Sequence, residues 1–305
     1  MVFGPYRLKE YQSQRAFDCN FPAARTERPA VNHEGHATNR PRTWALTIAV
    51  ALTATIALAQ QKPFEPQVGQ AGKDVVWVPS PEETVKKMME MGEITPQDFV
   101  VDLGSGDGRN VIAAAKLGAQ ALGVEYNPDM VELSKRRAKE AGVTEKAQFV
   151  QGDMYQAEFS KATVLALFLL PSNLLQLRDK FANLRPGTRI VSNTFSIQDW
   201  TPEKTETVDD CSSWCTVMLY IVPAKVDGTW RLPQGELALK QTYQTVSGTL
   251  TTSGKSVPVT GKLRGTQISW SAGGQEYSGV VKGNQIEGTT RTGSSSTNWT
   301  ATRAN

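Results

Sequence analysis

The stretch Asp102-Leu-Gly-Ser-Gly-Asp-Gly108 follows directly on the apolar run Phe99 to Val101 and leads into a helical pattern that opens at Asn110. Glycines at alternate positions clear the turn of side chains, so backbone N–H groups are presented and a ligand can approach the main chain closely. Strand, glycine-cleared turn and helix in that order are the opening unit of a parallel α/β sheet, whose ligand sits beyond the carboxyl ends of the strands. The turn also carries Asp102 at its start and Asp107 near its end, which selects against an anionic ligand.

The pattern around this unit alternates regularly. Helix is expected over Glu82 to Met91, Asn110 to Leu117, Pro128 to Ala141 and Asn173 to Asn183. Strands are expected over Phe99 to Leu103, Ala121 to Glu125, Ala147 to Gln151, Thr163 to Leu169 and Thr188 to Thr194. Right-handed crossovers then give a doubly wound, mostly parallel α/β sheet, with Thr205 to Val208 and Thr216 to Val222 as a closing antiparallel hairpin. From Gly228 the composition shifts to Gly, Thr, Ser and Gln, with period-two runs such as ELALKQTYQ and QISWSA and turn signals about every ten residues. That predicts a small all-β domain, a meander or barrel. The expected divisions are 75–226 for the α/β domain and 227–305 for the β-rich one.

Before them, Arg40 and Arg42 precede an apolar stretch from Ala45 to Leu58 that ends small-x-small at Ala57-Leu58-Ala59. This reads as a secretory signal at 43–59 followed by a polar linker at 60–74, and predicts an exported, periplasmic protein. The apolar run falls short of the ~20 residues of a bilayer span, so a membrane anchor is the alternative. Residues 1–42 show no apolar periodicity. They are expected to be disordered or to reflect a start assigned too early, with Val31 as one candidate start.

Both histidines, His33 and His36, fall in the leader, which removes Ser-His-Asp and Cys-His nucleophiles and ordinary zinc enzymes from consideration. No metal is expected. The formal charge of +3 lies mostly ahead of residue 45, so no basic stripe points to a nucleic-acid partner. Cys211 and Cys215, with Cys19 the only other cysteine, are too few for a structural zinc site, and an exported chain predicts a disulfide across CSSWC.

The glycines Gly104, Gly106 and Gly108 are spaced G-x-G-x-G, not the G-x-G-x-x-G of dinucleotide sites, and the two aspartates would repel a pyrophosphate. A nicotinamide oxidoreductase is disfavoured on both counts. S-adenosyl-L-methionine carries a sulfonium and an ammonium and no phosphate, so the acids become charge-assisted acceptors. Glu125, at the end of the second strand, is placed to accept both ribose hydroxyls. Asp153 in QGDM is placed to accept the adenine amine, with Met154 against the ring. Taken singly, the glycines could make only a tight turn, Glu125 a solvated strand end and Asp153 a loop cap; together, in this element order, they point to the cofactor.

From Trp77 to Trp200 the sequence resembles the class I S-adenosylmethionine-dependent methyltransferases. More narrowly, it resembles the seven-strand lysine methyltransferases acting on the ATP synthase c-ring protein and the ADP/ATP carrier, with their bacterial relatives. The resemblance is carried by WVPSPEETV (77–85), VVDLGSGDGRNVIAAA (100–115), GVEYNP (123–128), GDM (152–154) and LRPGTRIVSNTF (184–195). It implies a Rossmann-like methyltransferase sheet in strand order 3-2-1-4-5-7-6, and a cofactor held by Asp102, Gly104, Gly106, Glu125 and Asp153. It also implies N-methylation of a protein lysine. DLGSGDG and FANLRPGTRIVS are similar to the non-SET histone lysine methyltransferases as well, but their Asn-Asn-Phe after strand four is here Leu169-Leu170-Pro171, so a histone-type lysine channel does not carry over.

Transfer from a sulfonium is an in-line displacement that needs a positioned, neutral nucleophile and no imidazole. Asp107, Tyr126, Asn193 and Trp77 are the candidates for orienting the acceptor. Trp77 to Pro81 is read either as a cover for the cofactor at the substrate entrance or as a plain extended entry to the first helix. Lys135, Arg136 and Arg137 read as a solvated helix face. An export signal sits awkwardly with a cytosolic cofactor. The alternative is therefore an exported nucleoside-binding module without turnover, joined to a β domain for an envelope ligand. In that domain GTW (228–230) and NWTATR (298–303) resemble the paired Trp and Arg of lipocalin-like barrels, which predicts contact between Trp230 and Arg303.

Overall fold

The structure is a computed structural model that describes residues 64–292 and 295–304. The segments read as leader and export signal, and the first residues of the linker, lie outside the described residues.

The α/β part runs α1 (Glu82–Met91), β1 (Phe99–Leu103), α2 (Arg109–Lys116), β2 (Gln120–Glu125), α3 (Pro128–Glu140), β3 (Ala147–Gln151) and β4 (Val164–Leu167). It continues with α4 (Pro171–Ala182), β5 (Arg189–Asn193), β6 (Lys204–Thr207) and β7 (Thr216–Ile221). The strands form one seven-stranded sheet in the order β3-β2-β1-β4-β5-β7-β6, with β7 antiparallel between β5 and β6. β1 is central and buried on both faces: Val100 joins Met88, Val111 and Val131 on one side, and Val101 and Leu103 join Leu165, Leu174 and Phe181 on the other. Alternate residues of a period-two strand thus feed two cores, which explains why the run is continuously apolar.

Element ends differ from the sequence reading in informative places. α3 begins as expected because Pro128 occupies its first turn and the Asn127 side chain accepts from the Asp129 N–H. α4 starts two residues earlier than expected, with Pro171 supplying its first turn. Strand β4 stops at Leu167, and Phe168 and Leu169 leave the sheet to line a cleft. Apolar character alone cannot separate a strand's last pair from residues aimed at a site.

The C-terminal part is a closed antiparallel barrel of β8 (Gly228–Leu232), β9 (Gly235–Thr242), β10 (Thr245–Thr252), β11 (Lys255–Arg264), β12 (Gln267–Ala272), β13 (Gln275–Lys282), β14 (Gln285–Thr292) and β15 (Ser295–Arg303). Neighbours in sequence pair in space, and β15 returns to β8 through Thr302–Arg231 and Arg303–Trp230. Closure removes the exposed sheet edges that an open meander would leave. Hairpin turns are tight: Gly273 and Gly274 both have positive φ, as a two-residue primed turn requires. The interior is filled by Leu237, Val246, Leu263, Ile286 and three indoles, with Trp270 stacked on Tyr277 at 3.6 Å.

The barrel is fixed to the sheet by stacking of Trp200 on Tyr243 at 4.7 Å and by hydrogen bonds from Gln244 Nε2 to the Thr201 carbonyl and from the Ala224 N–H to the Gly265 carbonyl. Both parts fall in one compact unit, 60–305.

Trp230 is fully buried and donates its indole N–H to the Val226 carbonyl, and the Arg303 guanidinium lies over its ring at 4.4 Å from the centroid. The expected Trp–Arg contact is present, and it sits at the closure seam. Arg303 also donates to the Asp227 and Lys225 carbonyls, so it ties the last strand to the segment ahead of the first. A double-mutant cycle with Trp230→Ala and Arg303→Ala, read by denaturant unfolding, should give a coupling of about 0.5–2 kcal/mol. Additive effects would show that the guanidinium and the ring do not interact.

Candidate active site

Between β1 and α2 the chain turns through Gly104 (φ 71°), Gly106 (φ 54°) and Gly108 (φ 81°). A Cβ on Gly106 would lie 2.8 Å from Trp77 Nε1, in a conformation that L side chains rarely adopt. The turn is fastened to β2: the N–H groups of Gly104 and Ser105 donate to the Val124 carbonyl, and that of Gly106 donates to Glu125 Oε2 at 2.9 Å. Glu125 Oε1 accepts from the Asn127 N–H, so one half-buried carboxylate sets both the glycine loop and the start of α3.

Asp102 is buried at the end of β1, and among the described residues its carboxylate has one hydrogen-bond donor, Asn110 Nδ2 at 3.1 Å. Burial pushes its pKa well above the usual carboxylate range; the Asn110 bond opposes this, and the nearby charges of Glu125 and Asp107 add to it. Beside it Ser105 Oγ and Asn110 Oδ1 are buried without partners among the described residues. A buried acid with two orphaned polar atoms is costly in isolation and complementary to a ligand bearing an ammonium and a carboxylate.

The cleft has two adjoining parts. The larger, about 750 Å³ and open to solvent, is lined on the sheet side by Gly104, Glu125, Tyr126, Asp153 and Met154. The smaller contains Asp102, Ser105, Asn110 and Arg109. Trp77, Gly104, Gly106 and Phe168 belong to both. Over the larger part lies a strap, a short hairpin in which the Gly69 N–H donates to the Trp77 carbonyl, the Trp77 N–H to Gln70, and Gly72 to Val75. Trp77 to Pro81 is therefore a cover as well as the entry to α1.

Asp153 Oδ2 accepts from Lys73 Nζ of the strap at 2.7 Å, and Oδ1 accepts from the Tyr155 N–H. The bond to Lys73 holds the Asp153 carboxyl below its ordinary pKa, with the Tyr155 amide adding to it. The same ammonium lies 5.1 Å from the centroid of the Tyr126 ring. Lys73 gave no sequence signal: it lies in a polar linker and is brought to Asp153 across 80 residues.

Two expected orienting groups are used otherwise. Asp107 is buried, but Arg109 Nη2 at 2.6 Å and Arg137 Nη1 both bind its Oδ2, and these guanidiniums outweigh the burial penalty to hold its pKa below the usual range. A carboxylate neutralised twice serves as a strut between the loop and α3, not as a free acceptor. Asn193 is fully buried, donates to Ser80 Oγ at 3.0 Å and accepts from Thr194 Oγ1, so it pins the end of the strap. Tyr126 and Trp77 do face the cleft. The basic run on α3 is likewise only partly solvent-facing: Lys135 pairs with Glu132, whereas Arg136 holds the Phe64 carbonyl and Glu65, and Arg137 holds Asp107 and Glu65.

The family profile of the ANTKMT methyltransferase domain matches residues 102–204. A protein-lysine N-methyltransferase of Saccharolobus islandicus is 38% identical over 151 residues, covering 48% of this chain and 94% of the relative. The chain belongs to the S-adenosylmethionine-dependent protein-lysine methyltransferase family. A lysine N-methyltransferase of Rattus norvegicus, named for the c-ring protein of ATP synthase, is 35% identical over 161 residues, covering 52% of this chain and 69% of the relative. A crystal structure of an RNA methyltransferase from Salinibacter ruber in complex with S-adenosyl-L-homocysteine shares 40% identity, covers 49% of this chain and 96% of its own, and superposes with a TM-score of 0.46. The protein is a methyltransferase, and its cofactor is S-adenosylmethionine. The groups in the cleft fit that cofactor: orphaned Ser105 and Asn110 atoms beside a buried acid, a glycine cradle that a Cβ would fill, and acids at the ends of β2 and after β3.

The raised pKa of Asp102 fixes the sign of a pH effect. The folded ligand-free chain binds this proton more tightly than the unfolded chain, so Asp102 costs stability progressively as pH rises above the ordinary carboxylate value of 3.8 toward the raised one. Asp102→Asn should therefore raise the ligand-free Tm at neutral pH. It should also weaken S-adenosylhomocysteine binding about ten- to a hundredfold by calorimetry. Weaker binding with a lowered Tm would contradict the assignment.

Proposed function

We propose that this methyltransferase transfers a methyl group to the ε-amine of a protein lysine. The single observation that carries the cofactor assignment is the buried Asp102 with its orphaned neighbours; the acceptor reading is supported by relatives named for lysine N-methylation. In this reading Asp102, Ser105 and Asn110 take the ammonium and carboxylate of the methionine end, while Gly104 and Gly106 admit it to the backbone. Glu125 takes the ribose hydroxyls with the lone pairs that Gly106 and Asn127 leave free. Asp153 and Met154 take the adenine, and Lys73, bound to Asp153, fastens the strap above it.

When bound, the cofactor supplies an electrophilic methyl group on a sulfonium. Asp102, Ser105, Asn110, Gly104, Gly106, Glu125, Asp153 and Met154 would hold it, and a neutral lysine nitrogen would take the methyl group that it would supply. The chain's part is to hold the two reactants in line and to keep the amine in an apolar surround that favours its neutral form.

We further infer that the protein works in an oxidising compartment outside the cytosol, in line with the secretory signal expected at 43–59. The support is the Cys211–Cys215 disulfide. Alkylation and mass measurement of protein from its native host should find both thiols blocked, and two free thiols would overturn the inference.

Glu125→Ala should chiefly raise the cofactor's apparent KM, about ten- to a hundredfold, and leave more of kcat than Gly106→Val, which drives a side chain into Trp77. Incubation of the chain with methyl-labelled cofactor and host extract, followed by peptide mapping, should place label on lysine ε-nitrogen. Label confined to RNA, lipid or small molecules would overturn the acceptor assignment.

A further inference from the structure

Three aromatic rings converge at the edge of the sheet where β4 and β5 end and antiparallel β7 begins. Phe168 follows β4, Phe195 follows β5, and Trp214 precedes β7. Ring centroids are 6.2 Å apart for Phe168–Phe195, 5.5 Å for Phe168–Trp214 and 5.8 Å for Phe195–Trp214. Phe168 also lines both parts of the cofactor cleft, so the cluster runs from that cleft to the surface. Its outer member, Trp214, is 37% exposed.

Trp214 is held there by unusual means. It has φ 60°, a left-handed conformation that is uncommon for a bulky residue, inside the loop closed by Cys211–Cys215. Its carbonyl accepts from the buried Thr84 hydroxyl of α1 at 3.1 Å, across 130 positions of chain. Just before the loop, Asp209 and Asp210 are exposed and form no ion pair among the described residues. Aromatic faces are the recognition chemistry of an alkylammonium, and the two acids, five and four positions before Trp214 in the chain, match a cationic substrate in sign.

We propose that Phe168, Phe195 and Trp214 form the mouth through which the acceptor's alkylammonium side chain reaches the cofactor, with Trp214 as its outer wall, positioned by the Cys211–Cys215 disulfide. This rests on the reading of the acceptor as a lysine and adds the residues that select it. The mouth recognises the charged amine, and the apolar rings deeper in favour loss of its proton before transfer. The methylated forms of lysine keep their charge and fit the same rings.

The test uses the full chain saturated with S-adenosylhomocysteine. The probes are a Gly/Ser peptide bearing one Nε-trimethyllysine and the same peptide bearing the uncharged tert-butyl isostere, with binding followed by calorimetry or NMR titration. The charged peptide should bind at least about fivefold more tightly than the isostere, and Trp214→Ala should weaken it about tenfold, whereas Trp214→Phe should stay within about threefold of wild type. The double variant Cys211→Ser, Cys215→Ser should behave as Trp214→Ala. Affinity for S-adenosylhomocysteine should be unchanged in every variant, which also shows that each is folded. Equal binding of the two peptides, no binding of either, or wild-type binding by Trp214→Ala would overturn the proposal. Failure of the wild-type chain to bind S-adenosylhomocysteine would instead overturn the cofactor assignment beneath it. Label on a residue other than lysine, in the transfer experiment above, would overturn the acceptor reading and this proposal with it.

Discussion

The Asp102 carboxylate sits buried at the end of the central strand, with Asn110 as its one donor among the described residues. Such a group is tolerated only where the surrounding fold is fixed by something else, and here it is fixed by the sheet. Val100, Val101 and Leu103 anchor β1 between two cores, and the glycine loop beyond is clamped by Glu125 and Val124. The ligand-free cleft is thus built with an electrostatic deficit that a cationic group relieves.

Charges that look alike in the sequence have been given different work by burial and by partners. Asp102 is left with a single neutral donor and a raised pKa, whereas Asp107, five positions on, is neutralised by Arg109 and Arg137 and becomes a strut. Asp153 lies nearer the solvent and is held by Lys73, which brings the strap down over the larger part of the cleft. One basic helix face shows the same division: Lys135 pairs on the surface, and Arg136 and Arg137 fasten the chain near residue 65 and the loop.

The opposite edge of the site is assembled from the far end of the domain. The β6–β7 hairpin inserts β7 beside β5, and this brings the disulfide loop against α1 and against the rings that follow β4 and β5. The barrel is joined to the same region through Trp200, Thr201 and Tyr243 and closed by its own Trp230–Arg303 seam.

The sequence by itself determined the strand–loop–helix frame and the acids set along it. Asp102, Gly104, Gly106, Glu125 and Asp153 lie at or near strand ends, where local spacing fixes position, and the change of period and composition near residue 227 marked the all-β part. It could not determine which acid stays free, because that depends on the Arg137 guanidinium and the Lys73 ammonium, supplied from 30 and 80 positions away. Nor could it show that Asn193 pins the strap, that Phe168 leaves its strand, or that Trp214 meets Phe168 and Phe195. Apolar and polar residues in a one-dimensional pattern report whether a position is buried, not what it is buried against. Only tertiary packing brings β4, β5, the hairpin and α1 to one point, and the contacts made there decide what each side chain does.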